Sequence, residues 1–240
     1  SRNFLIAADI SFSMAQRDWT INGKQSRRWD AVKNLMHDFI KKREGDRMGL
    51  IFFGSSSYIQ APFTPDLAVV DQMLEEADVG MAGQMTHIGK AITKGVGMFK
   101  KDTIKTKVML LLTDGVDAGT DILPLDAADL AQKDTVKIYT IGIGDPGGAG
   151  TDLDEKTLQD IAELTNGQYF RAKDEKRLAQ IYTELDKLEL IAYEEEQNKP
   201  VTLLYMYPLG VAIGLLLFMM LVLTIAKVIR QLTHKKESYV

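Results

Sequence analysis

Apolar positions in the first 190 residues alternate between two rhythms. Short continuous runs, Phe4-Leu5-Ile6-Ala7-Ala8 and Met48-Gly49-Leu50-Ile51-Phe52-Phe53, read as buried strands. Between them Trp29, Val32, Met36, Phe39 and Ile40 recur at helical spacing over residues 29–41. Gly54-Ser55-Ser56-Ser57 turns the second strand toward a short edge strand near Tyr58-Ile59-Gln60, and Pro65-Asp66 opens a helix to about Ala77. A loop rich in Gly and Met runs from Gly80 to Met85, and Ile88, Ala91, Ile92, Val96 and Phe99 then mark another helix. Val108-Met109-Leu110-Leu111-Leu112 is the most apolar strand and suits the centre of a parallel sheet. Residues 125–132 read as a helix and residues 136–141 as a strand. Asp154 caps a helix that stops at Asn166-Gly167, and residues 168–170 form a last short strand. A final helix from Asp174 carries Leu178, Ile181, Tyr182, Leu185 and Leu188 on one stripe. Strands alternating with helices predict an α/β domain, an open and mostly parallel sheet with helices on both faces.

The pattern changes at residue 201. Residues 201–226 contain no charged side chain, and as a helix they would span about 39 Å at ~1.5 Å per residue. About 20 apolar residues suffice to cross a bilayer, so a transmembrane helix is expected here. The predicted organisation is a folded domain over 1–190, a helical linker over 191–200, the membrane helix over 201–226 and a basic tail over 227–240. Tyr205 and Tyr207 fall where interfacial aromatics anchor, and Gly210 and Gly214 have the spacing of a close helix contact.

Charge orients this arrangement. The formal charge is −4; the tail holds Lys227, Arg230, Lys235 and Lys236 against Glu237, a net +3 that leaves −7 on the rest. Lys and Arg favour the cytoplasmic side, so the tail is expected inside and the folded domain outside the cytoplasm. An acidic domain without a long basic run argues against nucleic-acid binding. With no cysteine there is neither disulfide nor thiolate metal site. The chain opens at Ser1 without a leader and enters a strand almost at once, which predicts a signal peptide or further membrane segments upstream.

The candidate chemistry sits at three places. Asp9, Ser11 and Ser13 follow the first strand; Thr86 opens a helix; Asp114 follows the most apolar strand in Thr113-Asp114-Gly115. In open α/β sheets, ligands bind beyond the carboxyl ends of strands, at the switch point. Asp9, Ser11 and Ser13 are spaced by two, and in an extended segment such residues face one side. Hydroxyls and carboxylates without Cys or His suit a hard cation such as Mg²⁺, with Mn²⁺ or Ca²⁺ as alternatives. Taken singly the residues have plainer readings: Thr86 as a helix cap, Asp114-Gly115 as a turn. Phe12, inside the motif, either meets a partner or packs under a loop. His87, beside Thr86, either lines the site or simply starts a helix, and Asp117 either supports the site or caps its loop. His37 reads as a surface helix residue, and His234 lies in the basic tail. A shell rich in hydroxyls would leave the cation short of negative charge, open to an acidic residue of a protein partner.

Other chemistries are poorly served. Gly142-x-Gly144 and Gly147-Gly148 lack the helix and Lys-Ser/Thr of a phosphate loop. Gly-x-Ser-x-Gly is absent, and no His-carboxylate pairing stands out as a general acid–base. A metal-dependent hydrolase, or an accessory subunit of a channel or transporter, remains as an alternative.

The Asp-x-Ser-x-Ser, distant Thr and Thr-Asp-Gly pattern resembles the metal-ion-dependent adhesion site of von Willebrand factor A domains, over roughly residues 3–190. More narrowly, Thr86-His87-Ile88-Gly89, the segment 139–144, the segment 161–171 and the single helix after the domain are similar to the membrane-anchored Bat aerotolerance proteins of bacteria. Phe12 departs from the Gly frequent at its position. The resemblance implies a Rossmann-like six-stranded sheet and divalent-metal binding through Asp9, Ser11, Ser13, Thr86 and Asp114. It also implies a non-enzymatic role at the bacterial inner membrane, with the domain periplasmic. Expected partners are other Bat-like proteins and a MoxR-type AAA+ ATPase system in stress tolerance or complex maturation.

Overall fold

The computed structural model describes residues 2–187, apart from 22, 44, 120, 145–152, 173, 175 and 186, and residues 212–220. Contacts divide the chain into two units, Ser1–Leu188 and Glu189–Val240. In the first, six strands form one sheet in the order β5-β4-β1-β6-β7-β8. They are β1 (Asn3–Asp9), β4 (Arg47–Phe53), β5 (Ser57–Thr64), β6 (Lys107–Thr113), β7 (Lys137–Ile143) and β8 (Tyr169–Ala172). Every pairing is parallel except β4 with β5. The helices are α1 (Arg28–Lys41), α2 (Leu67–Glu75), α3 (Ile88–Lys100), α4 (Pro124–Lys133), α5 (Glu155–Leu164) and α6, residues 176–185.

The alternation along β1 explains why both faces are covered. Phe4, Ile6 and Ala8 join one core with Trp29, Val32 and Met36 of α1, Val70 and Leu74 of α2, and Leu178 and Ile181 of α6. Leu5 and Ala7 join the other with Ile92 and Val96 of α3, Ala128 of α4 and Leu158 of α5. A strand buried on both faces needs apolar residues at every position, which is why β1 and β6 read as continuous runs. Each fully buried large aliphatic or aromatic side chain contributes roughly 1.5–3 kcal/mol relative to its exposed state.

The central pair β1 and β6 also fixes the site. Ala8 pairs with Leu112, so the next residues, Asp9 and Thr113, end side by side. After β1 the chain turns to α1 on one face, and after β6 it turns to α4 on the other. That divergence opens a crevice at the carboxyl ends of the two strands.

Two local features differ from the sequence reading. A two-stranded hairpin, β2 (Trp19–Ile21) and β3 (Lys24–Ser26), stands between the first loop and α1. Its signal was Asn22-Gly23, a tight-turn pair; Gly23 has φ +78°. The segment after Asp9 is not extended throughout: Phe12–Ala15 is a 3-10 turn, which lifts Phe12 outward and brings Ser13 back. The helix stop read at Asn166-Gly167 follows the end of α5, and its left-handed residue is Asn166, φ +57°.

In the second unit, residues 212–220 are helical and all exposed, among them Leu215, Leu216, Leu217 and Phe218. Among the described residues, no helix is long and apolar enough to cross a membrane. The linker over 191–200, the tail over 227–240 and the rest of the expected membrane helix over 201–226 lie outside the described residues.

Candidate metal centre

Asp9 ends β1 with no exposed surface. Its Oδ1 accepts the Ser11 N–H at 2.8 Å, and its Oδ2 accepts the Thr113 hydroxyl at 2.6 Å. Thr86 lies one residue before the α3 cap position, which is His87. The Thr86 hydroxyl therefore serves the site: it lies 3.0 Å from Ser11 Oγ and 3.3 Å from Asp9 Oδ2. Ser13 donates to Asp114 Oδ1 at 2.6 Å, and Ser11 and Ser13 stand 3.1 Å apart. Because Ser13 gives its one proton to Asp114, Ser11 is the donor to Ser13. The hydroxyls thus form a one-way relay that ends on Asp114. All five residues named for metal binding meet here.

The electrostatics fit a dication. Burial pushes Asp9 up to about 7 and the neighbouring Asp114 charge adds to that rise; bonds from Ser11 and Thr113 only partly oppose it. Burial also raises Asp114, against bonds from Ser13 and Arg28. Of the two acids only Asp114 has a cation beside it, Arg28; Asp9 is left without one among the described residues, and a divalent cation would supply it. Among the described residues no three His, Cys, Asp or Glu side chains converge as a metal cluster; the donor set here is two carboxylates with three hydroxyls. That set suits a hard ion that keeps some of its water.

Main-chain bonds lock the surrounding loops. Gly80 N–H donates to Ile10 O at 2.7 Å, Phe12 N–H to Gln84 O at 3.3 Å, and Ala118 N–H to Thr86 O at 2.8 Å. Met85 N–H donates to Ser55 Oγ at 3.1 Å. A Cβ on Gly115 would come within 3.1 Å of Thr86 Oγ1, so the turn after Asp114 is closed tightly against the site.

The three flanking residues separate. Phe12 is 55% exposed, and Met81 and Met85 are exposed with it on the adjoining loop. His87 does not open onto the site: its ring is buried and Nδ1 donates to Ser55 O at 2.8 Å. Asp117 is a brace, with Oδ1 accepting the Ile88 N–H at 2.7 Å and Oδ2 the Gly119 N–H at 3.1 Å. Sequence reasoning passed over Thr113 and Arg28. Thr113 was visible as the first residue of Thr-Asp-Gly. Arg28 looked like an ordinary helix-opening residue, yet it is 1% exposed and its Nη1 donates to Asp114 Oδ2 at 2.8 Å.

Comparison with known proteins agrees with this fold. The family model described as von Willebrand factor type A domain matches residues 3–184. An uncharacterised protein of Borreliella burgdorferi is 30% identical over 142 residues, 59% of this chain and 40% of that protein. A UPF0353 protein of Mycolicibacterium paratuberculosis is 27% identical over 213 residues, 79% of this chain and 60% of its own length. The chain thus spans less than two thirds of both relatives. Among solved structures, an aerotolerance-related membrane protein from Bacteroides fragilis superposes with a TM-score of 0.67 at 24% identity, covering 78% of this chain and 98% of that one. BatB from Bacteroides thetaiotaomicron gives the same score and identity over 79% and 99%. Proximal thread matrix protein 1 from the mussel byssus, solved with a zinc-occupied MIDAS motif, gives 0.62 at 21% identity over 78% and 45%. The sheet order, the strand-end oxygens and the match over residues 3–184 place this chain in the von Willebrand factor type A domain family, with Bat aerotolerance proteins among its structural neighbours.

Proposed function

We propose that this domain is a dication-dependent protein-capture module. Ser11, Ser13 and Thr86, with Asp9 and Asp114, would hold Mg²⁺, or Mn²⁺ or Ca²⁺ in its place. The bound ion would act as a Lewis acid for an Asp or Glu of a partner protein. The observation that carries this reading is the relay of three hydroxyls between two buried carboxylates, at strand ends and beside an exposed rim. Nothing in that set serves as a nucleophile with its own base, because His87 is committed to a backbone carbonyl. The role is therefore recognition, not turnover.

The rim sets what surrounds the captured acid. Phe12 and Met85 each sit next in sequence to a ligand residue, and Met81 lies on the same loop as Met85. A partner whose acidic residue reaches the ion must lay its neighbouring residues across these side chains. The apolar run over 201–226 supports an anchor in a bacterial inner membrane, and the charge difference supports a periplasmic domain. The similarity to Bat proteins supports a scaffold or adaptor role beside other Bat-like proteins and a MoxR-type AAA+ ATPase. Such an ATPase is cytoplasmic, so the basic tail or another subunit would carry the contact.

Affinity capture with the full chain in detergent tests the reading. Partner recovery is expected in Mg²⁺ and not in chelator, and Thr86→Ala should lose it; equal recovery in both buffers would sink the proposal. Phe12→Ala should weaken capture roughly tenfold, while its melting stays within about 0.5 kcal/mol of wild type, as is usual for an exposed site. Unchanged capture by Phe12→Ala would remove the rim from the interface.

A further inference from the structure

One charge at the centre has no part in holding the ion. Arg28 opens α1 and is buried between two acids. Nη1 donates to Asp114 Oδ2 at 2.8 Å, Nε donates to Asp18 at 2.9 Å, and Nη2 also bonds Asp18. The two acids are not alike. Asp114 has no exposed side-chain surface, whereas Asp18 is 38% exposed. The inner pair is unscreened and the outer pair is softened by water.

Resting on the capture reading, we propose that Arg28 is a positioning residue that makes dication and outside carboxylate bind cooperatively. The guanidinium takes up one Asp114 oxygen while Ser13 takes the other. A dication entering the relay therefore competes with Arg28 for Asp114 and finds only Asp9 without a cationic partner. It is left short of negative charge, and a carboxylate from a partner makes up the deficit. Without Arg28, Asp114 would offer its full charge, the ion would bind well alone, and its pull on an outside acid would fall. Arginine does not deprotonate in proteins, so the guanidinium itself stays charged. Asp18 is the opposing lever. It draws the guanidinium outward, and its removal would leave Arg28 to Asp114 alone.

The two levers predict opposite signs, which a merely structural role for Arg28 does not. Calorimetric titration of Mn²⁺ into the full chain in detergent, with and without acetate as probe carboxylate, reads them. For wild type, saturating acetate should tighten Mn²⁺ severalfold. Arg28→Met should bind Mn²⁺ about tenfold more tightly than wild type without acetate, with most of the acetate effect gone. Asp18→Asn should bind it severalfold more weakly, and Arg28→Lys, which keeps the charge, should stay near wild type. Arg28→Met and Asp18→Asn moving the same way, or a folded Arg28→Met binding no tighter, would overturn the proposal. If Arg28→Met does not fold, Asp18→Asn decides, and binding as tight as wild type or tighter refutes it. Wild type that binds no Mn²⁺ in either buffer would instead bring down the capture reading, and this inference with it.

Discussion

Asp9→Asn is expected to melt above wild type at pH 8 in chelator, and to gain nothing from Mg²⁺. The substitution keeps the shape of the side chain. The amide oxygen still accepts the Ser11 N–H, and the amide nitrogen can donate to Thr113, whose hydroxyl also accepts. What disappears is a buried charge. The carboxyl titrates at 3.8 in an unfolded chain and at about 7 in the fold. Below the lower value it is protonated in both states and its contribution to stability is intact. As pH rises through the upper value the unfolded chain ionises first, and that stability is lost. The advantage of Asn therefore grows between about pH 4 and 7 and then levels, on the order of a few kcal/mol. At about 2–4 °C per kcal/mol for a domain of this size, the difference is several degrees. Mg²⁺ narrows that gap by raising wild type alone, because an ion that binds only the folded state at 100 times its dissociation constant adds about 2.7 kcal/mol. Melting curves at pH 5 and pH 8, with Mg²⁺ and with chelator, read all of this. An Asn variant that melts below wild type in chelator at pH 8, or that gains as much from Mg²⁺, would show that Asp9 is structural.

Gly167→Ala should cost about 3 kcal/mol or more, at the upper end for an overpacked site. A Cβ there would lie 1.8 Å from Ile138 O and 2.6 Å from its carbonyl carbon. Those are backbone atoms of β7 and have no rotamer to yield. Either β7 shifts away from β6 or the turn from α5 into β8 opens. The turn is closed by Gly167 N–H donating to Ala162 O at 2.8 Å. Thermal unfolding should fall by roughly 6–12 °C on the same scale. Asn166→Gly is the informative control. Asn166 carries the left-handed conformation, which Gly adopts freely, so that change should stay within about 1 kcal/mol. A mild Gly167→Ala together with a severe Asn166→Gly would show that the backbone angle governs this corner and the space does not.

Gly167 also shows where sequence reading stops. Asn-Gly was legible as a helix stop, because the pair is common there. That the Gly is required for room against β7 depends on Ile138, 29 residues earlier, and no local pattern reports that distance. The same division holds across the domain. Continuous apolar runs and helical rhythms exposed the sheet and its helices, because burial on both faces leaves a mark at every position of β1 and β6. The five oxygen residues were legible from strand ends and spacing. The reason given for Ser13 was wrong, since a 3-10 turn and not an extended segment returns it to the site. Arg28 was invisible because a buried Arg at a helix start has the same letters as an exposed one. The hairpin of β2 and β3 is only three residues a side, too short for alternation to speak without its Asn-Gly turn.

The main-chain bonds among the strand-end loops have a consequence for how such a surface diversifies. Ile10, Gly80, Gln84, Thr86 and Ala118 join through backbone atoms; at the donor positions Phe12 and Ala118 any residue but proline can supply the N–H, while Gly80 holds φ +88°. The main-chain bonds of the ion site's frame therefore do not depend on the side chains of Phe12 and Met85, and Met81 adds only a weak bond from its sulfur to the Asp78 N–H. A duplicated copy of this gene segment could change those three side chains and meet a new partner, while the cradle beneath them stayed the same shape.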